Sequence, residues 1–336
     1  MLFSGPGGDG PAYYDLTSSP TRPTSAGTAL QGKGKGPAAV DSRRPVSAAA
    51  FGRTQTPPKK LVIQAFKVKP KLPDNYEALT WEKLRKAVLA IHESRPVSDS
   101  KEELYKACEN LCHHKKADSL YVKLGDVNER HIKRELDRLK QATSTDPSIL
   151  KALNDCWLNH CRQTIMIRNI FLFLDRTYVL QTVGLKSLWD MGLDLFRKNI
   201  MDDAEVRKRT VEGILLEIEK ERNGDQISRE LLRTLLRMFI DLSIYYTGFD
   251  IPFRERTEAF YRTESDRMIA ELDGPSDIHG GNAVARYLLH VEERLRQESE
   301  RCTSTLGYLD ASSKRALVTI LELEMVKKHA IILLDR

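Results

Sequence analysis

Glutamate is absent from the first 75 residues, which carry 11 Lys and Arg against 4 Asp, a local charge of +7 in a chain whose formal net charge is +6. The remainder therefore sums to −1, so the body is neutral and the tail is basic. A basic tail favours acidic partners or nucleic acid in a salt-dependent way, and the same composition describes a solvated, disordered segment. Proline is scarce after residue 73, where only Pro96, Pro147, Pro252 and Pro275 remain of 14. Each falls between helical patterns, where its ring is tolerated. Cysteine is scarce too. The five residues Cys108, Cys112, Cys156, Cys161 and Cys302 are odd in number and set in helical patterns, which reads as reduced thiols of an intracellular protein. His113 and His114 follow Cys112, and His160 lies between Cys156 and Cys161, but the C-x2-C turn of a zinc site is missing. No metal and no cofactor is assigned. The N-terminus has no apolar signal region, and no apolar run reaches the roughly 20 residues that cross a bilayer, so neither secretion nor a membrane is expected.

Catalytic signatures are missing as well. There is no phosphate loop, G-x-S-x-G elbow, H-E-x-x-H or Cys–His–Asp arrangement in recognisable local context. Gly5–Gly10 (GPGGDG) is glycine-rich but neither follows a strand nor opens a helix, so it lacks the setting of a nucleotide loop. The chain is read as a non-catalytic protein. Alternating charges along Glu217–Arg222 and Glu292–Arg301 read as solvated helix face.

What is present is helix. In the stretch from Ile149 to Val179, Leu150, Leu153, Trp157, Cys161 and Ile165 recur at three- and four-residue steps, which puts them on one face. Ile165 to Leu174 is apolar almost all round, which predicts enclosure on every side. One long helix is expected there, with Asp146 as N-cap and Pro147 in its first turn, and its neighbours packed around it. Ten helices can be drawn, over roughly 79–93 with Thr80 capping, 99–115, 118–141, 147–179, 185–200, 202–222, 227–247, 252–272, 281–308 and 312–335. No strand-like alternation intervenes, so the body is all-α. Two groups of five helices suggest a duplicated unit, residues 76–200 and 201–336, stacked end to end as an elongated body.

Residues 1–58 are a Pro/Gly/Ser-rich tail that cannot form a packed core. Within residues 59–75, KKLVIQAFKVKPK places Leu61, Val62, Ile63, Phe66 and Val68 between lysines, and its flanking prolines keep it extended. It either lies along its own helical body or docks on another protein. Two helices carry aromatics at the edge of their apolar stripes. Tyr105 stands beside Leu104, Cys108 and Leu111, and Trp189 beside Leu188, Met191, Leu195 and Phe196. Exposed, such rings dominate binding hot spots; turned inward, they only complete a core.

At these residues the sequence resembles the N-terminal half of a cullin, most closely the cullin-4 class. The matching stretches are Lys59–Ile63, Leu72–Tyr76 with Trp81, Glu102–Tyr105, Glu109–Cys112, Cys156-Trp157, His160–Gln163 and Ile165–Arg168. They continue through Ile170–Gln181 (IFLFLDRTYVLQ), Leu188–Leu193 (LWDMGL), Leu195–Arg197, Gly213–Leu216 and Glu221-Arg222. The resemblance implies a stack of five-helix cullin repeats that serves as the rigid scaffold of a ubiquitin ligase in nucleus and cytoplasm. It implies that the second and fifth helices, with the extended segment before them, bind an adaptor, a DDB1-like β-propeller protein. By position this assigns adaptor contact to Leu61, Ile63, Phe66, Glu102, Leu104, Tyr105, Asn110, Trp189 and Asp190. RING-subunit and Nedd8 sites would belong to a C-terminal domain beyond Arg336, so the chain is expected to be a fragment, a truncation or an adaptor-binding piece. The rival reading is a helical nucleic-acid-binding protein acting through its basic tail. The neutral body and the lack of clustered arginines or interleaved aromatics weigh against direct nucleic-acid contact.

Overall fold

The computed structural model describes residues 75–142, 149–272, 283–303, 305 and 307–334, all within one compact unit, Lys69–Arg336. The expectations for residues 1–58, for Leu61, Ile63 and Phe66, and for Asp146 and Pro147 lie outside the described residues.

Among the described residues every regular element is helical. Ten helices have eight residues or more: α1 (Tyr76–His92), α2 (Lys101–His113), α3 (Ala117–Ala142), α4 (Ile149–Ile170), α5 (Leu188–Phe196), α6 (Ala204–Arg222), α7 (Arg229–Asp241), α8 (Ile251–Leu272), α9 (Ala283–Arg301) and α10 (Lys314–Leu321). They match the ten expected patterns one for one. None is long and apolar enough to cross a membrane.

The stretch taken as central does organise its surroundings, since α4 packs against α1, α2, α3, α5, α6 and α7. Its N-terminal half sends Leu150, Leu153 and Trp157 into one apolar cluster, while Ile167 and Ile170 enter another with Leu84, Leu104, Leu124 and Leu188. A third cluster, built on Tyr261, Tyr287 and Met325, joins α8 and α9 to the residues after α10.

Several expectations are corrected. α1 begins at Tyr76, so Thr80 lies inside it, and Asn75 at the cap position makes no side-chain cap bond. α4 ends at Ile170, and a short turn (Leu172–Leu174) and a π-turn (Asp175–Val179) follow. The backbone bonds Phe171 N to Ile167 O, 3.0 Å, and Asp175 N to Phe171 O, 3.1 Å, continue across the break, which makes it a kink in a continuing ladder. Ile165 and Met166 are 38% and 44% exposed, because neighbouring helices cover only the face bearing Ile167, Ile170, Phe171 and Leu174. Helix α9 stops at Arg301, ahead of a tight turn where Gly307 N donates to Thr303 O.

The charged runs at the ends of α6 and α9 are only partly solvated: Glu292 and Arg296 are exposed, but other members are not. Arg222, Glu298 and Arg301 are all at least 97% buried. Glu298 Oε1 accepts from Arg222 Nε and Arg301 Nη1, both at 2.8 Å, and from the Tyr261 hydroxyl at 2.5 Å. Burial pushes Glu298 up, but the two guanidiniums overcome it and hold the carboxyl below its ordinary value. The Arg222 guanidinium also lies 5.2–5.6 Å from the ring centres of Phe253, Phe260 and Tyr261. An alternating charge pattern shows only that i and i+4 residues share a face. Here that face meets another helix.

Candidate functional site

Helix α2 starts at an S-x-x-E box. Ser100 Oγ accepts from Glu103 N at 3.2 Å, and Glu102 and Glu103 in the first turn suit the helix dipole. Lys83 of α1 reaches Asp99 at 3.0 Å and Glu103 at 2.9 Å, which ties this start to its neighbour. The helix then buries Leu104, Ala107, Cys108 and Leu111. Tyr105, one step around from that stripe, is half-buried, with its ring edge-on to Phe173 at 6.3 Å and 87°. Phe173 also meets the His113 ring at 5.2 Å. Glu102 and Asn110 are exposed.

Helix α5 is placed by three polar contacts at its start. Ser187 Oγ accepts from Asp190 N at 3.1 Å and donates to Asp190 Oδ2 at 2.7 Å. Leu188 N donates to Oδ1 of buried Asp175 at 2.9 Å, and Arg168 Nε donates to Oδ2 at 2.9 Å, so one carboxylate fastens α5 to the end of α4. The Tyr121 hydroxyl of α3 donates to Lys186 O at 2.9 Å. Further along, Gly192 lets α5 approach α4 closely: a Cβ there would lie 2.9 Å from Thr164 Cγ2. Hydrogen bonds from Lys186 and Lys198 hold Asp194 down to about 2, so it stays charged. With the helix fixed, Leu188 points into the core, Trp189 is half-buried and Asp190 is exposed.

The structure thus brings Glu102, Tyr105, Asn110, Trp189 and Asp190 to the surface of helices α2 and α5, which share one apolar cluster. Leu104 is different. It is fully covered in that cluster, so it offers no area to a partner in this structure. Residue-by-residue reading also passed over three apolar side chains. Phe173 is half-buried, and Leu180 and Val183, in the loop before α5, are 75% and 101% exposed. The available signal was local: apolar residues continue past the end of helical spacing toward Gly184, whose φ of +90° marks a turn.

The family model described as the Cullin alpha solenoid domain matches residues 81–336. The chain is 43% identical over 278 residues to Cullin-4A of Homo sapiens, covering 83% of this chain and 35% of that protein. It is 40% identical over 286 residues to Cullin-4 of Dictyostelium discoideum, covering 84% of this chain and 34% of that protein. It is 32% identical over 269 residues to Cullin-3B of Arabidopsis thaliana, covering 80% of this chain and 35% of that protein. The chain therefore spans about a third of the length of the curated relatives it matches.

Proposed function

The chain belongs to the cullin family, and on that premise we propose that its helical body is the N-terminal, adaptor-binding part of a rigid cullin-RING ubiquitin-ligase scaffold. In this reading the adaptor is a DDB1-like β-propeller protein, as the likeness to cullin-4 relatives suggests. RING-subunit binding and Nedd8 attachment are assigned to a C-terminal domain outside these residues, and the complex works in nucleus and cytoplasm. The body performs no chemistry. It holds substrate at a set distance from an activated ubiquitin, and stiffness raises the effective concentration of one at the other.

One observation carries the reading: Tyr105 and Trp189 are half-exposed on two helices whose buried residues, Leu104 and Leu188, enter a single core cluster and whose starts are fixed by capping and cross-helix bonds. Rings held this way bury area on binding at little cost in side-chain entropy. The test is calorimetric titration of the chain with a purified DDB1-like adaptor. Tyr105→Ala and Trp189→Ala should each weaken binding about thirtyfold, the loss expected when a hot-spot ring worth about 2 kcal/mol is removed. Unchanged affinity in the double variant, with its helicity intact, refutes the assignment. Retention of DNA in moderate salt with no adaptor affinity would favour the rival reading through the basic tail.

A further inference from the structure

The outward side of α4 carries a row of apolar side chains that the fold leaves partly exposed, none of them among the residues assigned to the adaptor. We propose that this row pairs with a second copy of the same chain, the two α4 helices lying antiparallel about a two-fold axis that passes between Ile165 and Met166.

The row follows from spacing. Leu158, Ile165 and Leu172 recur at steps of seven, and Met166 and Phe173 each stand one residue further on, so all five share one side of the helix. Leu158, Ile165 and Met166 are 40%, 38% and 44% exposed, and Leu172 and Phe173 are half-buried. The other side of α4 is the one the fold uses, since Leu153, Trp157, His160, Gln163, Ile167 and Ile170 are buried there. The kink after Ile170 does not end the row, because the bonds from Phe171 N and Asp175 N carry the helical ladder across it. From Leu158 to Phe173 the row runs about 22 Å at 1.5 Å per residue. Single exposed apolar residues are ordinary on a protein surface; several in line along one helix form a ridge that another helix can cover.

The order of residues along the row says which partner. In a two-fold pair every contact occurs twice with its residues exchanged, so a surface that covers itself must be complementary to its own reverse. With the axis between Ile165 and Met166, antiparallel helices set Leu158 of one copy beside Phe173 of the other and Ile165 beside Met166, so apolar meets apolar along the seam. Arg162 falls beside Asn169, whose side-chain oxygen accepts from it; within its own chain the Arg162 guanidinium donates to Asn159 Oδ1 at 2.9 Å and to Leu158 O at 3.3 Å, and it meets no carboxylate among the described residues. At each end Asp155 falls beside Arg176, which makes two identical ion pairs related by the axis. Both side chains are exposed, and among the described residues Arg176 has no ion pair and Asp155 takes only a 3.5 Å bond from Asn154. Charge complementarity of this kind fixes register and orientation. A helix of unrelated sequence carries no such matching order of charged and apolar groups, whereas the same helix reversed carries all of it.

One helix per copy covers less than the roughly 800 Å² per partner of a standard interface, so the dimer is weak, with a Kd of about 50 μM. The test is sedimentation equilibrium of the full chain at concentrations from about tenfold below to about tenfold above that Kd. A monomer–dimer equilibrium is expected, and Ile165→Asp should weaken it at least tenfold. Asp155→Arg and Arg176→Asp each set like charges together at both ends and should each weaken it about fivefold or more, while the double variant Asp155→Arg/Arg176→Asp, in which opposite charges face each other again, should return to the wild-type Kd. A monomer throughout the range, a dimer untouched by Ile165→Asp, or a double variant no better than the single ones would overturn the proposal. A chain that stays monomeric but loses adaptor affinity in Ile165→Asp would give this face to the adaptor, and so would overturn it too. Asp155, Ile165 and Arg176 are exposed, so the variants keep the fold, and an unchanged circular dichroism spectrum verifies that.

Discussion

Lowering the pH from 7.5 to 5.5 should cost this fold much more stability than its surface charges suggest, because His92 and His160 are buried as neutral rings. Burial, helped by His131, His160 and Arg134, takes His92 down to about 3. Burial takes His160 to about 4, against the pull of its bond to Gly192 O. In the unfolded chain both return to 6.5. Both folded values are depressed, and for a base this means the unfolded chain binds the proton first. Stability is therefore full above 6.5 and falls as pH drops from 6.5 toward 4 and 3, by up to about 1.4 kcal/mol per pH unit for each ring. At pH 5.5 the unfolded chain gains about 1.4 kcal/mol per histidine, or about 2.7 kcal/mol for the pair relative to pH 7.5. This figure hardly depends on the folded values so long as both stay below about 5. With an m-value of about 3 kcal/mol/M, the urea midpoint should fall by roughly 0.9 M. The assay is urea denaturation at both pH values for the wild type and for His92→Gln/His160→Gln, read as the difference between the two pH shifts. Carboxylate titrations then cancel, as does the opposite trend of Asp241, whose burial raises its pKa. Equal shifts in wild type and variant would refute the reasoning.

Three further outcomes follow from the packing. Glu298→Gln leaves Arg222 and Arg301 buried without their anion and should destabilise by about 3–5 kcal/mol, measured by calorimetric melting. Gly192→Ala drives a methyl against Thr164 Cγ2, which a β-branched side chain in a helix cannot easily move, so it should lower stability by about 1–3 kcal/mol. Adding Thr164→Ser removes that methyl and should restore the melting temperature, which a purely local helix effect would not. Ser187→Ala removes the cap of α5 and should cost about 1 kcal/mol while also weakening adaptor binding, since it loosens the helix that carries Trp189.

The relation between these residues and their sequence pattern is uneven in an informative way. Helical periodicity located all ten helices, and the edge positions of Tyr105 and Trp189 were visible as residues one step from an apolar stripe. Boundaries were weaker where a side chain from elsewhere intervenes. The kink after Ile170 and the start of α5 are joined through Asp175, which bonds Leu188 N thirteen residues on. Ile165 and Met166 looked enclosed because a run apolar on all sides carries no information about how many neighbours are present to cover it.

Chain order and residue type alone determined that the body is helical, where its helices lie, that its charge is neutral beneath a basic tail, and which family it resembles. The helices follow from spacing within a single segment, where 3.6 residues per turn makes near neighbours share a face, the charge from composition, and the resemblance from matching stretches. Only the tertiary structure decided that Leu104 is fully buried and Tyr105 half-exposed, that Arg222 is buried against Glu298 seventy-six residues away, and that His92 stacks on His131. Those outcomes depend on which distant segment arrives to exclude water. Periodicity reports the face a side chain occupies; the packing of other helices decides whether that face is wet.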